Sequence, residues 1–195
     1  MIIINGLTKR FGDLVLFEHY SRQFSGGKVC ITADNGTGKT TLLSMIAGLD
    51  EPCQGEIVLQ HTRAVKRHHL VALASDCIPF PEFLSARDLL MLCVKAWQCQ
   101  FPEHFIAGFH FSPFLDTTYA DLSSGNKKKL QLINALMRQT PYLLLDEPTA
   151  TLDHGAVQFL FDVLNQYPGE MIITSHEPEP FLAAGFTLVP LFAEA

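Results

Sequence analysis

Apolar residues in this chain come in short bursts, and the spacing within each burst predicts an element. Residues 2–8 open with three isoleucines and predict a strand, followed by a Phe11-Gly12-Asp13 turn. Residues 15–24 alternate loosely and predict a second strand that can pair with it. Gly26-Gly27 breaks this region, and residues 29–33 read as a buried strand. Over 40–49 the spacing becomes helical, with Leu42, Leu43 and Ile46 on one side and Gly48 at the end. Residues 55–60 and 70–74 predict further short strands, and Ser85 can cap a helix running to about residue 99. Residues 101–121 are aromatic and loop-rich, with a short helix after Pro102. Residues 123–139 read as a helix, 142–145 as a strand, 156–165 as a helix and 171–174 as a strand. A last strand over 186–191 carries Pro190, which assigns it to a sheet edge. Strands alternating with helices predict an α/β fold with a mainly parallel sheet covered on both faces.

Composition narrows this only slightly. A length of 195 residues suggests one domain, and an apolar content of 48% supports a sizeable core. The net charge of -6 argues against a general nucleic-acid surface, so no nucleic-acid partner is expected. Five cysteines with no CxxC pair do not form a disulfide framework and fit a reducing compartment. The apolar runs are too short for a signal segment or a spanning helix, so the expectation is a chain that is itself soluble but able to sit on a membrane partner.

The chemistry begins at ITADNGTGKTT, residues 31–41. A phosphate loop reads GxxxxGK[ST]; here it reads AxxxxGKT from Ala33 to Thr40. Lys39 would reach the β and γ phosphates, and Thr40 would offer a hydroxyl to Mg²⁺. Backbone N–H groups across Asn35, Gly36, Gly38, Lys39, Thr40 and Thr41 would face phosphate oxygens, helped by the positive end of the following helix. Ala33 is tolerated there if its φ is negative and one methyl fits.

YLLLDEP, residues 142–148, is the second element. Asp146 and Glu147 follow an apolar strand at its carboxyl end, where ligands of open α/β sheets bind. Asp146 would help position Mg²⁺, and Glu147 would orient and polarise an attacking water. Two adjacent carboxylates at a strand end are costly without a cation nearby. His176 ends the next strand, MIITSH, and is placed to contact the γ phosphate and that water.

With these residues the chain resembles an ATP-binding cassette (ABC) ATPase subunit over nearly its whole length. LSSGN, residues 122–126, is similar to the family signature LSGGQ and precedes the acidic strand at the family's short separation. The resemblance implies one cassette over 1–195, with a small antiparallel β subdomain and a helical signature subdomain over 76–138. It implies ATP and Mg²⁺ as cofactors, and a homodimer or heterodimer in which Ser123 and Gly125 face the other subunit's nucleotide. It implies Phe11 stacking on adenine, ATLD (residues 150–153) at the dimer interface, and His176 as the switch histidine. It implies a cytoplasmic location on the inner face of a membrane, against integral permease subunits.

The departures from the family pattern are Ala33, Ser124 and Asn126, and Ser75-Asp76 where a glutamine normally touches Mg²⁺. Asp76 can contact metal or simply face solvent. Length, ADNGTGKTTLLSMIAGL, GEIVLQ and an end 19 residues after His176 resemble the ATPase subunit of haem exporters used in cytochrome c maturation. The alternatives are a soluble regulatory cassette protein, or a nucleotide-sensing module with little turnover. Lys127-Lys128-Lys129 reads as a solvated face or an interface contact. His61, His68 and His69 lack the neighbours of a zinc site. Trp97, with Leu90, Cys93 and Val94, reads as packing the helical region that meets a partner, and Leu115 with the aromatics over 101–114 reads the same way.

Overall fold

The computed structural model describes residues 1–59 and 67–192. The chain divides into two compact units. The first comprises Met1–Leu73, Thr140–Asp146 and Gly169–Ala195; the second comprises Ala74–Gln139 and Glu147–Pro168.

In the first unit, β1 (Ile2–Phe11) pairs antiparallel with β2 (Leu14–Phe24) and with β4 (Gln54–Leu59). The expected first strand therefore runs three residues further, to Phe11, and turns at Gly12-Asp13. Ile2 and Ile4 alternate into the core, as a half-buried strand requires. The main sheet contains β3 (Lys28–Thr32), β5 (Val71–Ala74), β6 (Tyr142–Asp146), β7 (Glu170–Thr174) and β8 (Thr187–Pro190). Its order is β5-β6-β7-β3-β8, with β6/β7, β3/β7 and β3/β8 parallel. Every residue of β6 is buried, which explains its continuous apolar run. Pro190 lies on edge strand β8, where its missing N–H costs no ladder bond to a further strand.

Helix α1 (Lys39–Ala47) packs on β6 through Leu42, Leu43, Met45 and Ile46, all fully buried. Burying each such side chain contributes ~1.5–3 kcal/mol before entropy is counted. The helix stops at Gly48, whose φ of 75° turns its N–H back to Met45 and Ser44 carbonyls. Two short helices lie outside the sequence reading. They are α2 (Arg67–Leu70), just before β5, and α7 (Glu179–Ala183), started by Pro178. Both are shorter than two turns, so their apolar spacing carries no readable period.

The second unit is helical: α3 (Ala86–Trp97), α4 (Glu103–Gly108), α5 (Ser124–Leu136) and α6 (His154–Gln166). Ser85 caps α3 as expected, its Oγ accepting from the Asp88 N–H at 3.1 Å. Helix α5 ends three residues before the expected 139, and Gln139 takes a left-handed φ of 46° beyond it.

One expectation is corrected here, a solvated face at the lysine run, whereas the aromatic residues pack the helical unit. The aromatics over 101–114 are partly core: Phe109 and Phe111 are fully buried, and Leu115 is buried. Phe109 meets Phe159 edge-on at 4.9 Å, and a Cβ on Gly108 would stand 2.0 Å from the Phe159 ring. Trp97 packs within the chain, with the Arg138 guanidinium 3.7 Å from its ring centroid. Lys128 and Lys129 are buried rather than solvated. Each salt bridge supplies an anion: Asp76 lies 2.9 Å from Lys128, and Asp153 lies 2.5 Å from Lys129. Buried ammonium groups need such partners.

Candidate nucleotide site

The phosphate loop has the shape its residues predict. Gly36 and Gly38 have φ of 77° and 102°, a region that side chains disfavour. At Gly38 space matters as well, since a Cβ would stand 2.9 Å from Leu16 Cγ and from Phe17 Cε2 and Cζ. Ala33 is absent from the left-handed residues, so alanine fits its backbone. Lys39 is buried, and its Nζ donates to the carbonyls of Ala33 at 2.7 Å and Asp34 at 3.0 Å. The loop is thereby closed around its own lysine. Thr37 adds a bond to the Asp34 carbonyl at 2.8 Å. Thr40 and Thr41 lie in the first turn of α1, where backbone N–H groups lack helical acceptors.

Asp146 ends β6 and is buried. Thr40 Oγ1 donates to its Oδ2 and Thr174 Oγ1 donates to its Oδ1, both at 2.7 Å. The carboxylate is thus fixed from both sides by hydroxyls of α1 and β7. Thr174 was missed from sequence; its one signal was a hydroxyl near the end of an otherwise apolar strand. The next residue, Glu147, takes a left-handed φ of 46° although Pro148 follows it. That conformation is sparsely populated and costs ~1–3 kcal/mol.

His176 is exposed beyond β7. Ser175 fixes the turn, accepting from the Glu177 N–H at 3.1 Å and donating to its carbonyl at 3.0 Å. His176 and Ser175 line a cleft of about 330 Å³ with Thr32, Ala33, Asp34 and Pro178. His176 and the start of the phosphate loop therefore share one opening. Phe11, at the end of β1, is 51% exposed rather than core, with Lys9 Nζ 5.0 Å from its ring centroid.

In the helical unit, Ser123 caps α5, its Oγ accepting from the Asn126 N–H at 3.2 Å. A Cβ on Gly125 would stand 2.7 Å from the Thr151 carbonyl oxygen. The signature glycine thus accommodates the chain's own ATLD loop, where Thr151 has φ 64°. Asp153 closes that loop by capping α6, accepting from the Ala156 N–H at 2.9 Å. Hydrogen bonding to Lys129, then the Ala156 N–H, holds the Asp153 carboxyl below its ordinary range.

Asp76 is exposed and engaged by Lys128, and Ser75 beside it is buried. The His68 and His69 rings lie 4.4 Å apart, while His61 falls outside the described residues. Among the described residues no group of three or more His, Cys, Asp or Glu could hold a metal ion.

A phosphate loop, a clamped aspartate at a parallel strand end and a signature-type helix start define the class of ABC ATPases. The chain belongs to that family: the model described as ABC transporter matches residues 21–150. It is 33% identical over 180 residues to the ATP-binding protein Uup of Caulobacter vibrioides, covering 88% of this chain. It is 28% identical over 200 residues to the lipoprotein-releasing system ATP-binding protein LolD of Bacteroides fragilis, covering 91% of each. It is also 28% identical over 173 residues to the thiamine import ATP-binding protein ThiQ of Haemophilus influenzae, covering 82% of this chain and 80% of that one. The chain spans 29% of the length of Uup and 26% of Arabidopsis thaliana ABC transporter F family member 2. Among solved structures, the ATP-binding subunit of an ABC transporter superposes with a TM-score of 0.85 at 20% identity, covering 97% of this chain and 85% of that one. A dimeric bacterial ABC transporter cassette superposes with a TM-score of 0.78 at 18% identity, covering 98% and 95%. These likenesses show the fold: a mainly parallel sheet with helices and a small antiparallel sheet.

Proposed function

We propose that this chain binds and hydrolyses ATP as the cassette subunit of an ABC transporter, acting as a dimer on a separate membrane permease. The observation that carries the reading is the Asp146 carboxylate, held by Thr40 of the phosphate-loop helix and Thr174 of the neighbouring strand. Nothing in packing alone calls for a buried anion at a strand end beside a loop built for phosphate.

Thr40 Oγ1 and Asp146 Oδ2 form a pair of hard oxygen donors, the type that Mg²⁺ prefers. These two residues would hold Mg²⁺, which neutralises phosphate charge when bound. Asp76 is a poor third candidate, because Lys128 engages it. Lys39 would exchange the Ala33 and Asp34 carbonyls for the β and γ phosphates, and the loop amides would stabilise charge developing on them. Glu147 would accept a hydrogen bond from the attacking water, and His176 would orient it for in-line attack. Phe11 would stack on adenine. Ser123 and Gly125 would face the nucleotide of a second copy or of a related subunit.

Domain bounds of 1–195 for the cassette and 76–138 for the signature subdomain go with this reading. So does a location on the cytoplasmic face of a membrane; among the described residues no helix is long and apolar enough to cross one. Haem export in cytochrome c maturation rests on the sequence resemblance alone, and the named cargo of relatives is thiamine or lipoprotein.

The test is ATP turnover by wild type and Glu147→Gln, with partners captured from gently solubilised membranes. Loss of a general base costs ~100-fold or more, so E147Q is expected to collapse turnover while keeping ATP binding. Equal, negligible turnover in both would overturn the enzyme reading and favour a nucleotide sensor. Recovery of only soluble partners would overturn the transporter reading.

A further inference from the structure

Past the end of helix α3 the backbone folds back on itself. Gln98 takes a left-handed φ of 53°, and its N–H bonds to the Val94 carbonyl. The Cys99 N–H bonds to that same carbonyl at 3.3 Å. A six-to-one return bond of this kind brings the residue after the left-handed position back over those five and six places earlier. Those residues are Val94 and Cys93. Both cysteines are half-buried, so neither is sealed in the core. Burial pushes the Cys93 thiol up, the nearby Cys99 adds to this, and Arg138 opposes it. Cys99 further lines a cavity of about 640 Å³ with Phe101, Phe105, Met137 and Arg138, which gives a small reagent room to approach.

We propose that Cys93 and Cys99 form a reversible dithiol–disulfide site that reacts with low-molecular-weight disulfides. The Cys99 thiolate, in the cavity wall, attacks one sulfur of the reagent and displaces one reagent thiolate. The Cys93 thiolate then attacks the Cys99 sulfur of the mixed disulfide and displaces the second. Two protein thiols are oxidised, the reagent is reduced to two thiols, and the two protons pass to them. The nucleotide residues take no part. Cys30 is buried, while Cys53 and Cys77 are exposed and stand apart from this helix end in sequence.

Trp97 is the only tryptophan and lies between the two cysteines in sequence, so its fluorescence reports on them. The experiment uses the full chain carrying Cys53→Ser and Cys77→Ser, reduced and then treated with oxidised glutathione. The expected result is loss of two free thiols and of two hydrogens from the intact mass, with no retained glutathione. Peptide mapping then shows a Cys93–Cys99 bridge, Trp97 emission falls, and dithiothreitol restores it. Adding Cys93→Ser is expected to trap one glutathione on Cys99 and leave no bridge. Stable glutathione adducts on both cysteines, a bridge involving Cys30, or no loss of thiols would each overturn the proposal.

Discussion

Replacing Thr174 by valine keeps the shape of the buried end of β7 and removes one hydroxyl. Thr174 is fully buried, so no solvent replaces the lost donor. The bond it makes to Asp146 Oδ1 is 2.7 Å long and ends on a carboxylate. Hydrogen bonds to charged groups contribute ~1.5–3 kcal/mol. A domain of this size loses about 2–4 °C in Tm per kcal/mol, which places the expected loss at roughly 3–12 °C. Thr174→Ser keeps the donor and is expected to retain most of the loss-sensitive stability. Thermal unfolding of the nucleotide-free chain reads this directly, and ATP turnover reads whether the released Oδ1 disturbs the site. A T174V chain that melts within a degree of wild type and turns over ATP at the same rate would refute the clamp as described.

Gly38→Ala combines a left-handed backbone, worth ~1–2 kcal/mol against alanine, with a Cβ 2.9 Å from Leu16 and Phe17. ATP affinity is expected to fall about tenfold or more by calorimetric titration, whereas Ala33→Gly leaves it nearly unchanged. Asp153→Asn keeps an acceptor for the Ala156 N–H but deletes the charge that meets Lys129. Because the folded-state Asp153 carboxyl is depressed, its contribution is complete above the ordinary aspartate range, near pH 4, and fades as pH falls through the lower folded value. The D153N urea midpoint is therefore expected to lie below wild type at neutral pH, by at least the ~1 kcal/mol of an exposed pair because the Lys129 partner is buried, and to converge with it in strong acid.

The motifs of the candidate site were legible as local patterns. GKTT sits at one strand-to-helix turn, DEP at one strand end, and a serine starts each of α3 and α5 where a cap belongs. What escaped was long-range pairing. Lys128 meets Asp76 and Lys129 meets Asp153 across distances in sequence that leave no periodic trace, so three consecutive lysines looked solvated. The hydroxyl of Thr174 likewise gains meaning only when β7 is laid beside β6. Aromatic residues over 101–114 read as packing, but loop-rich sequence hides which ring turns inward, and Phe109 and Phe111 turn inward.

The tight seat of Gly125 against the Thr151 carbonyl has a bearing on how relatives of this chain are sorted. A glycine there is demanded by the subunit's own backbone before any second subunit or nucleotide arrives. Lineages that abandon ATP turnover would thus keep this glycine for as long as they keep the fold. Its presence in a genome-derived sequence is therefore a weak marker of a live motor.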